Sequence, residues 1–351
     1  MNYLYYILAF VLVALTYLPL IKNQHWFFRI ASFARIQILV LIVPLIVWGY
    51  TLLEISFYPI ILVQILLGVS FVYQLIILAP YFSFFSKKKI EKSEKTISIL
   101  SVNVYQYNTD HQKLIDLVND YKPDIFLTLE SNQDWENSLS VLDTTYKKFK
   151  KIALENTYGM HFYTNLEVVY IKTNYFVADD IPSVEVQLKT KQGEDFVFYG
   201  IHPPPASPTE ELSSKEKDGE LLSVAKKIKK ETLPVIITGD FNSVAWSRIT
   251  KLFTQTSGLI DARKGRGFVA TFPVKYPLFR VPIDLLFHTQ DFKISTLKTL
   301  KSIKSDHFPL YIECQINLEN QNSSKKETSL KTKKEVNHII TKGIKEKSNQ
   351  R

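Results

Sequence analysis

The chain of 351 residues contains a single cysteine and, over its first 86 residues, almost no charge. One cysteine excludes an internal disulfide framework and a zinc site built from cysteine ligands. Residues 1–86 hold only four charged side chains, which are Lys22, Arg29, Arg35 and Glu54. The last 35 residues contain no Phe, Trp or Tyr. The mean hydropathy near zero therefore averages over unlike parts of the chain.

The first 86 residues contain three charge-free apolar runs, at residues 1–21, 36–53 and 55–86. A helix of about 20 apolar residues is long enough to cross a bilayer. Tyrosine and tryptophan collect near the ends of the runs, where the membrane meets water. A cleavable signal peptide would begin with a basic segment, which the first run lacks. Residues 1–86 are therefore predicted to be a three-helix transmembrane anchor that contacts membrane lipids.

The charges between the apolar runs predict the orientation of the anchor. The first loop carries Lys22, Arg29 and Arg35 without an acidic residue, and residues 87–95 form a second basic segment, KKKIEKSEK. With three crossings, both segments lie on the same side, and basic loops remain in the cytoplasm. Residues from 87 onward are therefore predicted to be cytoplasmic, with 87–95 as a basic linker.

Residues 96–316 alternate between strand-like and helix-like segments. TISILSVNVY, DIFLTLES and LPVIITGDFN have the β-branched and apolar character of strands, and HQKLIDLVNDYK has apolar residues at helical spacing. This order predicts one α/β domain in which sheet layers are covered by helices. Residues 317–351 carry nine basic and four acidic side chains and are predicted to be a disordered basic tail. The tail either contacts anionic lipid or nucleic acid, or is solvated without a function.

Polar side chains stand after or within the apolar runs of this domain. The set is Asn103, Glu130, His202, Asp240, Asn242, Asp284, Asp306 and His307. Oxygen ligands such as Glu130, Asp306 and Asn103 suit hard cations of the Mg²⁺ or Mn²⁺ type. Histidines donate to phosphate oxygens, and either Asp284 or Asp306 could orient His307. Together these residues indicate metal-assisted hydrolysis of a phosphoester.

The motifs SVNVY, FLTLES, YGMHFYT, GIHPPP, ITGDFNSVAWS, PIDLLF and SDHFPL follow one another along the chain. In this order they resemble the endonuclease/exonuclease/phosphatase superfamily, which includes DNase I-like nucleases and inositol polyphosphate 5-phosphatases. Together with the apolar N-terminus they most resemble its membrane-anchored bacterial branch. The resemblance implies a four-layer α/β sandwich, two packed mixed sheets flanked by helices, over residues 96–316. It also implies a multi-pass protein of the bacterial inner membrane.

The resemblance also implies a role for each matching residue. Glu130 is expected to be the principal ligand of Mg²⁺ (or Mn²⁺), assisted by Asn103 and Asp306. Asp240 is expected to position or deprotonate the attacking water, and Asn242 to stabilise the phosphate oxygens in the transition state. His202, His307 and Tyr158 are expected to contact the scissile phosphate. Asp284 is expected to orient His307.

Two departures from the family pattern affect substrate choice. Leu129 stands where many relatives have Gln, and Thr164-Asn165 where many have a Ser-Arg pair. The expected substrate is a nucleic acid, a phospholipid or inositol-phosphate headgroup, or a small phosphoester. A basic groove from Arg263, Lys264 and Arg266 would favour nucleic acid, whereas a solvated loop would not. The competing hypothesis is a catalytically inactive domain that serves as a membrane-tethered binding module.

The predicted topology can be tested with a reporter fused after residue 90. Because the basic segments define the inner side, a cytoplasmic reporter is expected to be active there and a periplasmic reporter silent. Fusions with both reporters, compared at equal expression, give the measurement. Activity of the periplasmic reporter would contradict the orientation.

Overall fold

The computed structural model describes residues 2–52, 58–83, 95–317, 327–346 and 348. Of the predicted basic linker 87–95, only Lys95 belongs to these residues. Glu54 and residues 318–326 of the predicted tail also lie outside them.

The helices and strands of the described residues follow the predicted alternation over 96–316. The helices are α1 (Asn2–Tyr17), α2 (Trp26–Ile30), α3 (Arg35–Leu52), α4 (Tyr58–Leu78), α5 (His111–Tyr121), α6 (Gln133–Leu139), α7 (Lys215–Lys229), α8 (Arg248–Ser257) and α9 (Leu330–Lys345). The strands are β1 (Ile97–Asn103), β2 (Ile125–Leu129), β3 (Lys148–Ile152), β4 (Met160–Thr164), β5 (Glu167–Asn174), β6 (Ser183–Lys189), β7 (Asp195–Ile201), β8 (Val235–Asp240), β9 (Ile260–Asp261), β10 (Asp284–His288), β11 (Phe292–Thr299) and β12 (Leu310–Ile316).

The strands form two six-stranded mixed sheets, in the orders β11-β12-β1-β2-β4-β3 and β5-β6-β7-β8-β10-β9. β1 pairs with β2 in parallel, and β7 pairs with β8 in parallel, while the other pairs are antiparallel. The predicted pair of mixed sheets flanked by helices is confirmed. Each parallel pair brings two strand ends to the same edge of its sheet.

Successive side chains of a strand point to opposite faces of its sheet, so each sheet packs against the other sheet on one face and against helices on the other. In β1, Ile99 points into the core between the sheets, and Leu100 points outward beneath α5. In β8, Ile236 belongs to the same inner core, and Ile237 packs beneath α7 and α8. Each of these side chains is fully buried, which stabilises the fold by about 1.5–3 kcal/mol per side chain.

Two helical segments in the described residues, Tyr3–Leu20 and Tyr58–Tyr81, are long and apolar enough to cross a membrane. The expectation of three such helices is not met, because the apolar part of α3 is the shorter segment Arg35–Tyr50. The first residue of α3, Arg35, is buried and charged. Its Nη1 donates to Gln74 Oε1 of α4 at 2.6 Å.

The N-terminal helices join the α/β domain directly. Trp246 Nε1 donates to the carbonyl of Ser32 at 2.8 Å, and Tyr81 Oη donates to the carbonyl of Ala245 at 2.9 Å. The rings of Tyr81 and Trp246 meet edge to face with centroids 5.6 Å apart. Leu78 and Tyr81 therefore belong to the same apolar cluster as the outer face of the second sheet.

The prediction that residues 317–351 are disordered is wrong for α9. This helix begins after Ser329, whose Oγ accepts from Thr332 N, and buries Val336 and Ile339 against the second sheet's outer cluster. α9 approaches α7 closely because glycines face each other, so that a Cβ on Gly219 would lie 3.0 Å from the Cα of Gly343. The aliphatic residues recur at helical spacing, which the polar composition of the segment obscured.

The packing of α9 can be tested by Ile339→Ala. Ile339 is 5% exposed, so truncation leaves a cavity and is expected to cost about 2–4 kcal/mol, seen as a lower melting temperature. The matched control is Ile344→Ala, because Ile344 lies on the same helix and is 57% exposed. Thermal unfolding of the full chain in detergent gives the comparison. Equal melting temperatures for the two variants would show that α9 is not packed.

Candidate active site

The polar residues expected at strand ends meet in one cleft. Asn103 is the last residue of β1, and Glu130 directly follows β2, the parallel neighbour of β1. His202 directly follows β7, and Asp240 ends β8, which is parallel to β7. Asp284 begins β10 and lies directly opposite Asp240 in the antiparallel ladder. The two sheets therefore present these side chains at one end of the sandwich.

A hydrogen-bonded group links the two sheets at the centre of the cleft. Asn103 Nδ2 donates to Glu130 Oε1 at 2.8 Å and to Asp240 Oδ2 at 3.3 Å. The backbone N–H of Gln106 donates to Glu130 Oε2 at 3.2 Å. Burial raises the pKa of Glu130, the hydrogen bond from Asn103 opposes this shift, and the nearby carboxylate of Asp306 adds to it.

Two of these residues stand in the left-handed region of backbone space. Glu130 has φ 62° and Asn242 has φ 46°, which costs free energy for side chains other than glycine. A close backbone approach supports the turn at Glu130, since Ser131 N donates to the carbonyl of Gly159 at 3.0 Å. A Cβ on Gly159 would lie 1.8 Å from the carbonyl oxygen of Ser131, which explains the glycine of the Tyr-Gly pair. Such strain collects at functional sites, where rigid surroundings hold it.

His307 forms a buried ion pair with Asp284. His307 Nδ1 lies 2.8 Å from Asp284 Oδ2, and His307 Nε2 lies 3.6 Å from Asp240 Oδ2. Burial alone would lower the pKa of His307, but the carboxylates of Asp284 and Asp240 outweigh burial and raise it to about 10. Burial alone would likewise raise the pKa of Asp284, and the charge of His307 lowers it instead. His307 is therefore the imidazolium, and its Nδ1–H donates to Asp284 Oδ2.

His202 has the opposite character. Burial lowers its pKa to about 3, and the neighbouring charge of His307 lowers it further, so the ring is neutral. Its Nε2 lies 3.9 Å from Asp240 Oδ2, and its ring centroid lies 5.5 Å from that of Tyr158. The cleft thus contains one charged and one neutral imidazole, and the Nε2 atoms of both lie near Asp240 Oδ2.

Asn242 supports Asp240 through the backbone. Its N–H donates to Asp240 Oδ1 at 2.8 Å, and its Nδ2 donates to the carbonyl of Pro203 at 2.9 Å. The second contact uses one of the two amide hydrogens of the side chain. Burial raises the pKa of Asp240, and the carboxylate of Asp284 adds to this, whereas the charge of His307 opposes it.

Two groups of residues in the cleft could hold a metal. Asp240, Asp284 and His307 offer ligand atoms that all lie within 4.8 Å of one another. A protonated imidazole has no lone pair for a metal, however, and Asp284 is engaged by His307. Glu130 and Asp306 are hard oxygen donors, and the carboxylate of Asp306 is close enough to raise the pKa of Glu130. Asn103 directs its amide nitrogen toward Glu130 and its oxygen toward Tyr105 N, so a ligand role requires the amide to turn.

Other residues considered at the sequence level lie outside the cleft surface. Arg263 is fully buried and donates to the carbonyl of Asp284, and Arg266 donates to the carbonyls of Ala262 and Ile294. The basic groove suggested for Arg263, Lys264 and Arg266 therefore does not form, because both guanidinium groups satisfy backbone carbonyls. His161, the histidine of the YGMHFYT motif, lies in β4 and is fully buried.

The structure adds two residues that sequence reasoning missed. Ser305 Oγ donates to the carbonyl of Asn103 at 2.8 Å and accepts from His307 N at 3.0 Å, which ties the first sheet to the imidazolium. Lys217 of α7 is 5% exposed, and its Nζ donates to the carbonyl of Asn242 at 3.0 Å and to Ser243 Oγ at 2.6 Å. A lysine in the charged stretch KEKDGE resembles a solvated helix face, so the sequence concealed its burial.

Comparisons with known proteins agree with this geometry. Residues 100–307 match the profile of the Endonuclease/Exonuclease/phosphatase family. The chain therefore belongs to this family, and it is a hydrolase that acts on phosphoester bonds. No curated protein matches the chain with significant similarity.

Solved structures show the same fold at low identity. Humanized D. rerio TDP2 matches with a TM-score of 0.54 and 16% identity, over 63% of this chain and 100% of that chain. The human Nocturnin catalytic domain with a bound sulfate anion matches with a TM-score of 0.52 and 16% identity, over 66% and 98%. An endonuclease/exonuclease/phosphatase from Bacteroides vulgatus matches with a TM-score of 0.53 and 17% identity, over 64% of this chain and 100% of that chain. At these identities the likeness concerns the fold.

The role of Lys217 can be tested by Lys217→Met, which keeps the length of the side chain and removes its donors. Since hydrogen bonds from charged groups are worth about 1.5–3 kcal/mol, kcat is expected to fall by about 10- to 100-fold as the turn at Asn242 relaxes. The measurement is kcat and KM separately in the full chain, with Lys230→Met, an exposed lysine directly after α7, as the control. A folded Lys217→Met protein with unchanged kcat would contradict the positioning role.

Proposed function

We propose that the chain is a membrane-anchored, Mg²⁺-dependent phosphoester hydrolase, with Mn²⁺ as a substitute, that directs water to attack phosphate in line. The observation that supports this most is the cleft itself. There Asn103 bridges Glu130 and Asp240, and Asp240 faces the charged His307. Four carboxylates, those of Glu130, Asp240, Asp284 and Asp306, gather around one imidazolium, a charge balance that favours a bound cation.

Glu130, Asp306 and Asn103 are the proposed metal ligands. Both carboxylates are hard oxygen donors of the kind Mg²⁺ prefers, and Glu130 receives only one described hydrogen bond on each oxygen. The metal supplies charge neutralisation at the phosphate oxygens. Gln106 N and Asn103 Nδ2 donate to the two oxygens of the Glu130 carboxylate. When the Asn103 amide turns to present its oxygen as a ligand, the N–H of Gln106 keeps the carboxylate oriented.

Asp240 is the proposed base for the attacking water. Asn242 N and Asn103 Nδ2 fix its two oxygens by donating to them. Its raised pKa suits a group that takes a proton near neutral pH.

The two histidines are the proposed phosphate contacts. His307 carries its positive charge toward the same side of the cleft as Asp240, where it stabilises negative charge that develops on phosphate oxygens. His202 is neutral and donates one hydrogen bond without adding charge. Asn242 contributes the amide hydrogen that Pro203 does not use, and Tyr158, whose ring lies beside that of His202, is the further proposed contact.

The membrane part of the proposal is supported by α1 and α4. Their exposed surfaces are apolar, as at Phe10 and Ile76, which water does not favour. α3 lies between them in the sequence and is proposed as a third, shorter crossing. The basic segments 22–35 and 87–95 favour a cytoplasmic active site, and the resemblance to the membrane-anchored bacterial branch favours the bacterial inner membrane.

The substrate proposals differ in what the surface must offer. D. rerio TDP2 has been solved in complex with a single-strand DNA product, so nucleic acid is one candidate. A nucleic-acid substrate needs basic side chains along its path, and Arg263 and Arg266 are occupied inside the fold. A phosphoester at the membrane surface, such as a phospholipid or inositol-phosphate headgroup, needs no such groove. A small soluble phosphoester is a third candidate. A purely binding module is disfavoured, because the whole polar cluster is present.

The metal assignment can be tested by Glu130→Gln in the full chain in detergent, with bis-p-nitrophenyl phosphate as the substrate. Loss of the charged ligand is expected to lower Mg²⁺- and Mn²⁺-dependent hydrolysis by about 100-fold or more, with the melting temperature nearly unchanged. Glu167→Gln is the matched control, because Glu167 is an exposed carboxylate paired with Lys189 on the surface.

Chelation of the wild-type protein should abolish hydrolysis, and added Mg²⁺ should restore it. Activity that survives Glu130→Gln would contradict the metal assignment. Wild-type protein that hydrolyses neither this substrate nor DNA, RNA, phospholipid or inositol phosphates with either metal would contradict the enzyme proposal.

A further inference from the structure

A short apolar segment protrudes from the α/β domain between β9 and β10. Residues 275–280, here called the 275–280 loop, include Tyr276, Leu278 and Phe279, whose side chains are 53%, 83% and 63% exposed. The loop contains one turn of 3₁₀ helix over Pro277–Phe279, in which Phe279 N donates to the carbonyl of Tyr276 at 3.0 Å. Contiguous exposed apolar side chains mark interaction sites rather than solvated surface.

Basic residues flank these apolar side chains. Lys275 is exposed, and its Nζ lies 5.5 Å from the centroid of the Tyr276 ring. Arg280 anchors the base of the loop, because its Nη2 donates to the carbonyl of Val274 at 2.7 Å and its guanidinium lies over the ring of Phe308. An apolar tip with cationic flanks complements the interface of a bilayer that contains anionic lipids.

The loop lies beside the N-terminal helices. Gln37, in the first turn of α3, donates from Nε2 to the carbonyl of Leu278 at 2.6 Å. The end of the apolar segment Tyr58–Tyr81 contacts the start of the same connection, since Gly265 N donates to the carbonyl of Pro80 at 2.8 Å. The loop thus contacts the first turn of α3, and the connection that carries it contacts the end of the segment Tyr58–Tyr81.

A second apolar surface is found in the same region of the chain. α2 precedes α3 directly and leaves Phe27 and Ile30 about half exposed, at 50% and 49%. The ring of Trp26 packs edge to face against that of Phe27. A short helix with exposed aromatic and aliphatic residues beside a membrane span is typical of segments that lie in the interface.

We propose that the 275–280 loop inserts Tyr276, Leu278 and Phe279 into the interface of the bilayer that holds the N-terminal helices, so that the active-site cleft opens at the lipid headgroups. This inference rests on the proposed membrane anchoring. The occupant of the apolar surface is a lipid bilayer, because the contacts of the loop with α3 place it at the end of an apolar helix.

The other end of the loop forms a wall of the cleft. Val274 N donates to the carbonyl of Asp306 at 2.8 Å, and the ring of Phe272 lies 4.8 Å from that of His307. Leu278 is four residues beyond Val274, which limits their separation to about 14 Å at about 3.6 Å per residue. A phosphate group at the bilayer surface is therefore within reach of the cleft. The substrate class inferred is a phosphoester carried by a membrane lipid.

The insertion can be tested with a fluorescent label in the full chain, reconstituted in phosphatidylcholine vesicles that contain phosphatidylglycerol. The native cysteine, Cys314, is fully buried and unreactive, so a thiol-directed nitrobenzoxadiazole label reports an introduced cysteine. Leu278→Cys places the label in the loop. Val141→Cys is the matched control on a surface 57% exposed and outside the apolar region, and Val69→Cys reports the middle of α4.

The labels at 278 and 69 are expected to be quenched by spin-labelled lipid and to emit at a shorter wavelength than the label at 141. The label at 141 is expected to show no such quenching. Quenching at 69 without quenching at 278 would overturn the inference and leave the anchor intact; a protein partner or a second copy on the loop would give this result. Absence of quenching at 69 would show that the anchoring itself fails.

The substrate class can be tested by comparing hydrolysis of vesicle-borne phosphatidylglycerol with hydrolysis of bis-p-nitrophenyl phosphate. For the double variant Leu278→Gln and Phe279→Gln, the ratio of the vesicle rate to the soluble rate is expected to fall about tenfold, which corresponds to about 1.4 kcal/mol. An unchanged ratio would overturn the role of the loop. A wild-type protein that hydrolyses the soluble substrate and leaves vesicle lipid intact would overturn the lipid substrate.

Discussion

The charge of His307 is the interaction on which the rest of the cleft depends. Burying the carboxylates of Asp240 and Asp284 opposite each other on adjacent strands is unfavourable without a compensating cation. His307 compensates both, with Nδ1 against Asp284 and Nε2 toward Asp240. Ser305 then connects this imidazolium to the end of β1, so that the two sheets share one electrostatic centre. The backbone strain at Glu130 and Asn242 is tolerated because this centre and the hydrogen bonds around it hold both turns.

The positions of site residues could be anticipated from the sequence, because polar residues such as Asn103 and Asp240 interrupt strongly apolar strands. The resemblance to family motifs suggested a role for each of them, and these roles stay predictions. Burial and pairing of individual charges could not be anticipated, since Lys217 and Arg263 look like surface residues until tertiary packing encloses them. The different protonation of His202 and His307 also depends on neighbours distant in the chain. α9 was missed because its apolar face completes a surface formed elsewhere, and local composition carries little information about such docking.

Hydrogen bonds connect the N-terminal helices to the segment that follows the cleft strand of the second sheet. The strand that ends at Asp240 continues through Asn242 to Ala245 and Trp246, and the last two contact Tyr81 and Ser32. On the opposite side of the cleft, the chain that passes Phe272 and Val274 runs to the loop beside α3. The N-terminal helices and the cleft are therefore linked by short stretches of chain rather than by a long flexible tether.

The hydrogen bond from Trp246 to Ser32 has a consequence for where the enzyme can be divided. The family profile covers residues 100–307, yet the outer cluster of its second sheet also includes Leu78, Tyr81, Val336 and Ile339 from both flanking segments. Excising the matched region would expose the indole of Trp246 and a large apolar face to water. The region that matches the family profile is thus shorter than the region that shares one apolar core in this protein. N-terminal helices taken from another protein would not replace these without also replacing part of the core.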